Sequence, residues 1–252
     1  MSRDDISTRE RERGALVAVT FDFWGTLYQN ASARVDRMAL LGAYLESHGQ
    51  PRSWDSIEAA YRHATSVWDR VWREEQRSIS IWRWLNAVAS HLDAYIPADD
   101  AARLGQEIEE VFLHGDDPPP VSGVMGVVPR LARVYRLGLI SDTGLTPGRV
   151  LRRVMERDGL LSPFEVLTFS DELGTAKPSP KPFLHTLELL GARPDQAAHI
   201  GDLPETDVRG ARGVGMKSVL FLGVSGREDG REMADAVFED YAELVHLLES
   251  GI

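Results

Sequence analysis

The chain has 252 residues, 43% hydrophobic and 27% charged, so it can bury a substantial core and is not expected to be disordered. Its formal net charge of −11 argues against general nucleic-acid binding, since phosphate backbones are held by an excess of Lys and Arg. The absence of cysteine excludes disulfides, thiolate nucleophiles and zinc–thiolate sites.

Residues 1–13 are rich in charge and lack the apolar core of a signal peptide, and no apolar stretch of the chain is long enough to span a bilayer. We therefore expect a cytoplasmic protein with a mobile tail at residues 1–13 and no membrane partner. The sequence does not indicate the oligomeric state.

The first predicted element is a buried strand that ends in a single carboxylate. The apolar run at residues 15–19 leads into Phe21 and then Asp22. A carboxylate at the end of a strand, followed by Gly25 with its wide choice of backbone angles and by the hydroxyl of Thr26, suits attack on an electrophile held at the sheet edge. Asp22 is therefore the candidate nucleophile. The alternative is a strand that simply ends at a turn-forming Asp.

Residues 33–114 show helical periodicity without a convincing strand, which predicts an inserted helical domain. Four helices are expected, at residues 33–47, 53–77, 79–95 and 98–114. Trp68 and Trp72 fall at helical spacing, and we assign them to the core of this domain rather than to a stacking surface. The prolines at 118–120 then favour an extended return linker.

From residue 121 onward, short apolar strands alternate with helices, which predicts a parallel sheet covered by helices on both faces. The expected strands lie near residues 137–141, 165–168, 197–201 and 217–222. The expected helices lie near residues 124–135, 147–158, 180–191 and 205–214, with a final helix that ends near residue 249. Ligands of such sheets bind at the carboxyl ends of the strands, where Asp22, Ser141 and Asp202 would all emerge.

Two further carboxylates, Asp202 and Asp207, lie five residues apart in a loop and in the first turn of the next helix. Beside Asp22 they would repel one another unless a cation neutralised them. Oxygen ligands without Cys or clustered His favour Mg²⁺. The alternative for Asp207 is a helix cap. Lys177, held outside helical geometry by the proline that follows it, can balance the nucleophile and an anionic substrate.

Taken together, four segments resemble the haloacid dehalogenase (HAD) superfamily of hydrolases in their order and spacing, over about residues 15–222. They are the segment around Asp22, Ser141 after its apolar run, Lys177 at the start of a proline-rich stretch, and Gly201-Asp202 with Asp207. The resemblance implies an α/β fold with a Rossmann-like parallel sheet core at residues 14–30 and 118–252. It also implies a C1-type α-helical cap at residues 31–117.

The resemblance further implies a metal site. Asp22 and Asp202 would bind Mg²⁺ directly with the backbone carbonyl of Trp24, while Asp207 would orient a bound water.

The same resemblance implies the catalytic residues. Asp22 would attack phosphorus, and Thr26, Ser141 and Lys177 would hold the transferring group. For Ser141, a loop serine that caps the next helix stays open as the alternative.

Trp24 departs from the family's pattern, because the superfamily's phosphatases carry there a second Asp that protonates the leaving group and activates water. An indole can do neither. The 2-haloacid dehalogenases carry Tyr at that position, but they need no metal and have a Ser-Asn pair where this chain has Gly201-Asp202. They also carry Tyr where this chain has Phe183. His114 and Asp116, near the end of the helical insert, are candidates for a replacement acid.

Three interpretations therefore stay open. The motifs around Lys177 and Asp202 favour a Mg²⁺-dependent phosphohydrolase that acts on a small anionic metabolite through an aspartyl-phosphate. Trp24 keeps open a dehalogenase-like hydrolase that acts at carbon, and also a non-catalytic binder that retains the fold and the metal site.

Overall fold

The structure, a computed structural model, describes residues 15–250 and residue 252. The tail predicted at residues 1–13 lies outside the described residues. The strands of the described part are β1 (Ala18–Phe21), β2 (Arg136–Ser141), β3 (Val166–Phe169), β4 (Ala197–Gly201), β5 (Lys217–Phe221) and β6 (Ala236–Phe238).

These strands form one parallel sheet in the order β3-β2-β1-β4-β5-β6. β1 lies at its centre, where Ala18 is opposite Arg136 of β2 on one side and Ala197 of β4 on the other. The chain builds outward from β1 first toward β3 and then toward β6. The crevice between the ends of β1 and β4 is therefore the switch point at which open α/β sheets bind ligands. The predicted Rossmann-like α/β class is confirmed.

Both faces of the sheet are buried, because alternate side chains of a strand point to opposite faces. Val19 and Phe21 of β1 pack into one apolar cluster, and Ala18 packs into another. The helices that cover the sheet are α5 (Val124–Leu131), α6 (Gly148–Arg157), α7 (Ser170–Leu173), α8 (Pro180–Leu189), α9 (Arg209–Val214) and α10 (Tyr241–Glu249).

Four helices lie between β1 and α5 in the chain, and we call residues 34–109 the helical segment. They are α1 (Arg34–Ser47), α2 (Trp54–Glu75), α3 (Ile81–Leu92) and α4 (Ala98–Glu109). Ser53 and Ser80 cap α2 and α3 by accepting a hydrogen bond from a backbone amide of the first turn. The apolar side chains of this segment form a cluster of their own, separate from those of the sheet.

The chain crosses between the sheet and the helical segment through two paired stretches. Gln29 donates from its backbone nitrogen to the carbonyl of Pro119 at 3.0 Å, and Val121 donates to that of Leu27 at 2.9 Å. Arg157 of α6 donates to the carbonyls of the returning stretch, among them that of Gly115 at 2.8 Å. These hydrogen bonds fix where the helical segment joins the sheet.

The observed elements differ from the predicted ones mainly at their ends. α2 ends at Glu75 rather than at residue 77, because Gln76 takes a left-handed conformation. The helix expected at residues 205–214 begins as a π-helical turn at Pro204–Val208 before α9. β6 was not expected, since three residues at a sheet edge carry almost no periodic signal. Within the described residues, no helix combines the length and apolarity that crossing a membrane requires.

Candidate active site

Asp22 follows β1 at the centre of the sheet, and its backbone nitrogen donates to the carbonyl of Ile200 in β4 at 2.8 Å. Its side chain is buried. Three residues later, Gly25 has φ +68°, and a Cβ there would lie only 2.3 Å from Oδ2 of Asp202. A glycine is therefore needed both for its backbone angle and for the space that the Asp202 carboxylate occupies.

Asp202 and Asp207 are brought toward Asp22 by the loop after β4. A Cβ at Gly201 would lie 2.2 Å from Cγ of Asp207, so the strand must end in glycine for that carboxylate to fold back against it. The backbone nitrogen of Leu203 donates to Oδ2 of Asp207 at 3.0 Å and holds it there. Oxygen atoms of Asp22, Asp202 and Asp207 lie within 4.8 Å of one another.

Lys177 joins two of these carboxylates. Its ammonium nitrogen donates to Oδ1 of Asp22 and to Oδ1 of Asp207, each at 2.6 Å, and its side chain is only 2% exposed. Its backbone nitrogen donates to Oδ1 of Asp142, at 2.9 Å. Hydrogen bonds therefore hold both the backbone and the ammonium group of Lys177, and carboxylates of the site neutralise its positive charge.

His199 of β4 supports Asp207 from below. Its Nε2 lies 3.0 Å from Oδ1 of Asp207, and its Nδ1 lies 2.8 Å from the hydroxyl of Thr20. Burial lowers the pKa of His199 despite the neighbouring carboxylate. A neutral imidazole satisfies both contacts if Nε2–H donates to Asp207 and the hydroxyl of Thr20 donates to Nδ1. Sequence reasoning missed this role, although a histidine inside an apolar strand was a visible signal.

The carboxylates of the site differ in charge. Burial raises the pKa of Asp22 to about 7, against the opposing effect of Lys177. Burial, with added repulsion from Asp22 and Asp207, raises the pKa of Asp202 to about 8. Burial opposes ionisation of Asp207 too, but Lys177 and His199 outweigh it and hold the pKa of Asp207 well below its usual range. Lys177 stays charged, because these carboxylates raise its pKa against the effect of burial.

The residues present fit a hard divalent cation. Oδ1 of Asp202 is buried without a hydrogen-bond partner, so this oxygen is available to a cation. Both oxygens of Asp207, in contrast, already have partners. When all three carboxylates are ionised, their charge exceeds that of the one ammonium, and a cation with oxygen ligands such as Mg²⁺ would neutralise the excess.

The two predicted hydroxyl residues lie beside this cluster. Thr26 is fully buried, and its hydroxyl has no hydrogen-bond partner. Ser141 is the last residue of β2 and is also buried, with only a 3.5 Å contact from its hydroxyl to the carbonyl of Asp142. Both hydroxyls thus have hydrogen-bonding capacity to spare, although neither residue lines the cavity described next.

A cavity of about 210 Å³ lies over the carboxylates. Its lining is shared by the sheet loops and the helical segment: Asp22, Trp24, Asn30, Trp68, Trp72, Asp142, Lys177, Asp202, Leu203 and Thr206. Trp68 and Trp72 stack with ring centres 5.6 Å apart and planes 5° from parallel. Trp72 donates from Nε1 to Oδ2 of Asp142 at 3.0 Å. Assigning both tryptophans to the core was therefore incomplete: Trp68 does pack on the helical cluster, but both wall the cavity.

Trp24 lines the same cavity and packs away from it onto other rings. Its ring centre lies 4.9 Å from that of Phe23 and 5.8 Å from that of Phe112, which follows the helical segment in the chain. The candidate replacement acids are not brought here, since His114 lines a different cavity and Asp116 lines neither.

The sequence model of a family described as haloacid dehalogenase-like hydrolase matches residues 16–215. The phosphoglycolate phosphatase of Rhodospirillum rubrum is 32% identical over 155 residues, which cover 58% of this chain and 62% of that protein. The phosphoserine phosphatase of Thermus thermophilus is 43% identical over 154 residues, which cover 61% of each. The chain thus spans about three fifths of the length of these curated relatives.

Among solved structures, a 2-haloacid dehalogenase from Pseudomonas syringae pv. Tomato DC3000 has a TM-score of 0.72 and 26% identity, over 93% of this chain and 99% of that one. A HAD phosphatase from Thermococcus onnurineus has a TM-score of 0.62 and 24% identity, over 92% and 98%, and is similar in fold alone.

Proposed function

The chain belongs to the haloacid dehalogenase-like hydrolases, and from this membership we propose that it is a Mg²⁺-dependent phosphohydrolase acting on a small phosphorylated metabolite. The observation that supports this proposal most is that the carboxylates of Asp22 and Asp202 lie close together and that Oδ1 of Asp202 has no hydrogen-bond partner. Lys177 occupies Oδ1 of Asp22, and no hydrogen bond among the described residues engages Oδ2. One oxygen of the nucleophile is thereby held while the other is available to a substrate in the cavity.

In the proposed reaction, Oδ2 of Asp22 attacks phosphorus and the bond to the leaving-group oxygen breaks, which forms an aspartyl-phosphate. Water then attacks phosphorus, releases phosphate and restores the carboxylate. Lys177 stays charged throughout and fixes Asp22, while Asp207, itself held by His199, fixes Lys177. Trp24 cannot supply a proton, so the departing oxygen must leave with little help.

Asp22 and Asp202, with the backbone carbonyl of Trp24, would hold Mg²⁺, and Asp207 would position a water of its shell. When bound, the cation neutralises these carboxylates and the transferring phosphoryl group. The free hydroxyls of Thr26 and Ser141 would donate to that group's oxygens.

We further propose that residues 31–117 act as a cap on a core of residues 14–30 and 118–252. The two stacked tryptophans of α2 form one wall of the cavity, and such a wall excludes water from the reaction. The cytoplasmic location stays a prediction from composition.

A second candidate is hydrolysis at carbon, as in the 2-haloacid dehalogenases. It is favoured by the missing carboxylate at Trp24 and by the similarity in sequence and fold to the Pseudomonas dehalogenase. The partnerless Oδ1 of Asp202 argues for the metal-dependent reaction instead.

One experiment separates these candidates. Aryl, acyl and alkyl phosphates and 2-haloacids are supplied with Mg²⁺ or with chelator, and phosphate and halide release are followed. Phosphate release that chelator removes, with weaker Mg²⁺ binding in Asp202→Ala, is the expected result. Halide release without metal would replace the proposal with the dehalogenase reaction, and no release from any compound would favour a binding protein.

A further inference from the structure

A second cavity, of about 450 Å³, opens beside the catalytic one. Four residues line both: Trp72, Lys177, Leu203 and Thr206. The two cavities therefore lie next to each other and share part of their lining.

Three arginines line this second cavity, although the chain as a whole carries a net charge of −11. Arg227 is already neutralised, because it pairs with Glu205, which also lines the cavity, and with Asp229 at 2.9 Å. Arg73 of α2 and Arg209 at the start of α9 form no ion pair within the described part of the chain. The lining of the cavity thus includes two arginines that no carboxylate among the described residues neutralises.

Arg73 is held by the cavity's own wall. Its guanidinium carbon lies 5.7 Å from the ring centre of Trp72, which lines both cavities. This cation–π contact orients the group without using its hydrogen-bond donors. Lys177 cannot fill the same role for a ligand, because its ammonium is occupied by Asp22 and Asp207.

We propose that this second cavity binds a second anionic group of the substrate, a carboxylate or a phosphate, through Arg73 and Arg209. The inference rests on the proposed phosphohydrolase function and specifies its substrate class: phosphate esters that carry a further anion beyond the leaving-group oxygen. Guanidinium groups suit either anion, because their planar fork matches two oxygens at once. Arg73 and Arg209 are specificity residues here and take no part in the chemical step.

The test compares two substrates of equal size, 4-carboxyphenyl phosphate and 4-carbamoylphenyl phosphate, which differ in the charge of the distal group. The kcat/KM ratio of the carboxylate substrate over the carboxamide substrate should be higher in the native protein than in the variants, by about two- to fivefold for each exposed arginine that is removed. This ratio should fall in Arg73→Gln and in Arg209→Gln, and furthest in the double variant, where only the difference in leaving-group pKa between the two substrates remains. Arg70→Gln is the matched control, since Arg70 is exposed on the same helix but lines neither cavity; the ratio should not change in it.

An unchanged ratio in the double variant, or an equal fall in Arg70→Gln, would overturn the proposal. Calorimetric binding of (4-carboxybenzyl)phosphonate and its carboxamide separates this failure from failure of the proposed function, because it needs no turnover. A preference for the carboxylate that the double variant loses supports the anion site even if no phosphate is released. Equal binding of the two phosphonates overturns the anion site even if both esters are hydrolysed.

Discussion

In the absence of divalent cations, raising the pH from 7 to 9 should destabilise the protein. Asp22 and Asp202 have pKa values of about 7 and about 8 in the folded protein, against an ordinary value of 3.8. At pH 7 the folded state therefore binds protons that the unfolded chain has already lost. Because the folded state binds more protons, the free energy of unfolding falls as the pH rises through these values.

The size of the fall follows from the same pKa values. Integrating proton binding from pH 7 to pH 9 gives a loss of about 2 kcal/mol, most of it from Asp202. His199 contributes little in this window, because its pKa is lowered in the folded protein and its unfolded pKa of 6.5 lies below the range. Mg²⁺ should oppose the fall, since it binds the ionised carboxylates, and its stabilising effect should be larger at pH 9 than at pH 7.

Urea unfolding followed by tryptophan fluorescence, at pH 7 and 9 with chelator or Mg²⁺, measures this directly. The matched variant is Asp202→Asn, which should lose most of the pH dependence in chelator and most of the gain from Mg²⁺. If the native protein in chelator is equally stable at both pH values, or if Asp202→Asn keeps the full fall, the carboxylate cluster is not the source and the reasoning is refuted.

Three other experiments each test the role of a single residue. Asp22→Asn should lower phosphate release by on the order of 10⁴-fold or more with circular dichroism unchanged, and comparable activity on a verified substrate would refute its role as nucleophile. With Trp24 in place of an acid, aryl and acyl phosphates should be hydrolysed about 10²- to 10⁴-fold faster than alkyl phosphates, with a burst of product before steady turnover. A plot of rate against leaving-group pKa measures this difference. Equal rates for the two kinds of ester, with chemistry shown to limit the rate, would contradict the prediction. Gly201→Ala, whose Cβ would lie 2.2 Å from Asp207, should cost about 1–3 kcal/mol in urea unfolding, whereas Gly213→Ala, with open space around it, should not.

Much of the sheet could be predicted from the sequence, and so could the grouping of four charged residues, Asp22, Lys177, Asp202 and Asp207, because both depend on local signals. Apolar runs mark β1, β2, β4 and β5, and the ends of parallel strands meet at one edge. Any polar residue just after such a run, as at Asp22 or Asp202, must therefore come near the others. Their functional roles and the division into core and cap remain predictions.

Contacts between distant elements could not be predicted in this way. The hydrogen bond from Trp72 to Asp142 joins residues 70 positions apart, and it depends on how α2 sits over the sheet. The spacing of Trp68 and Trp72 predicts that they share one face of a helix. It does not show that this face of α2 lies against the cavity. Arg73 and Arg209 likewise carry no local signal that distinguishes them from other arginines, and only the fold shows that they line one cavity.

The central position of β1 has a consequence for synthesis on the ribosome. Ala18 pairs with Arg136 and with Ala197, so each neighbour of β1 is translated more than a hundred residues after it. At ordinary rates of elongation, roughly 6 to 24 seconds separate β1 from its first partner. During that interval the helices of residues 34–109 can form from local contacts, while the backbone hydrogen-bonding groups along both edges of β1 stay unpaired. The segment that leads to Asp22, the proposed nucleophile, is thus the one we expect a nascent-chain chaperone to shield.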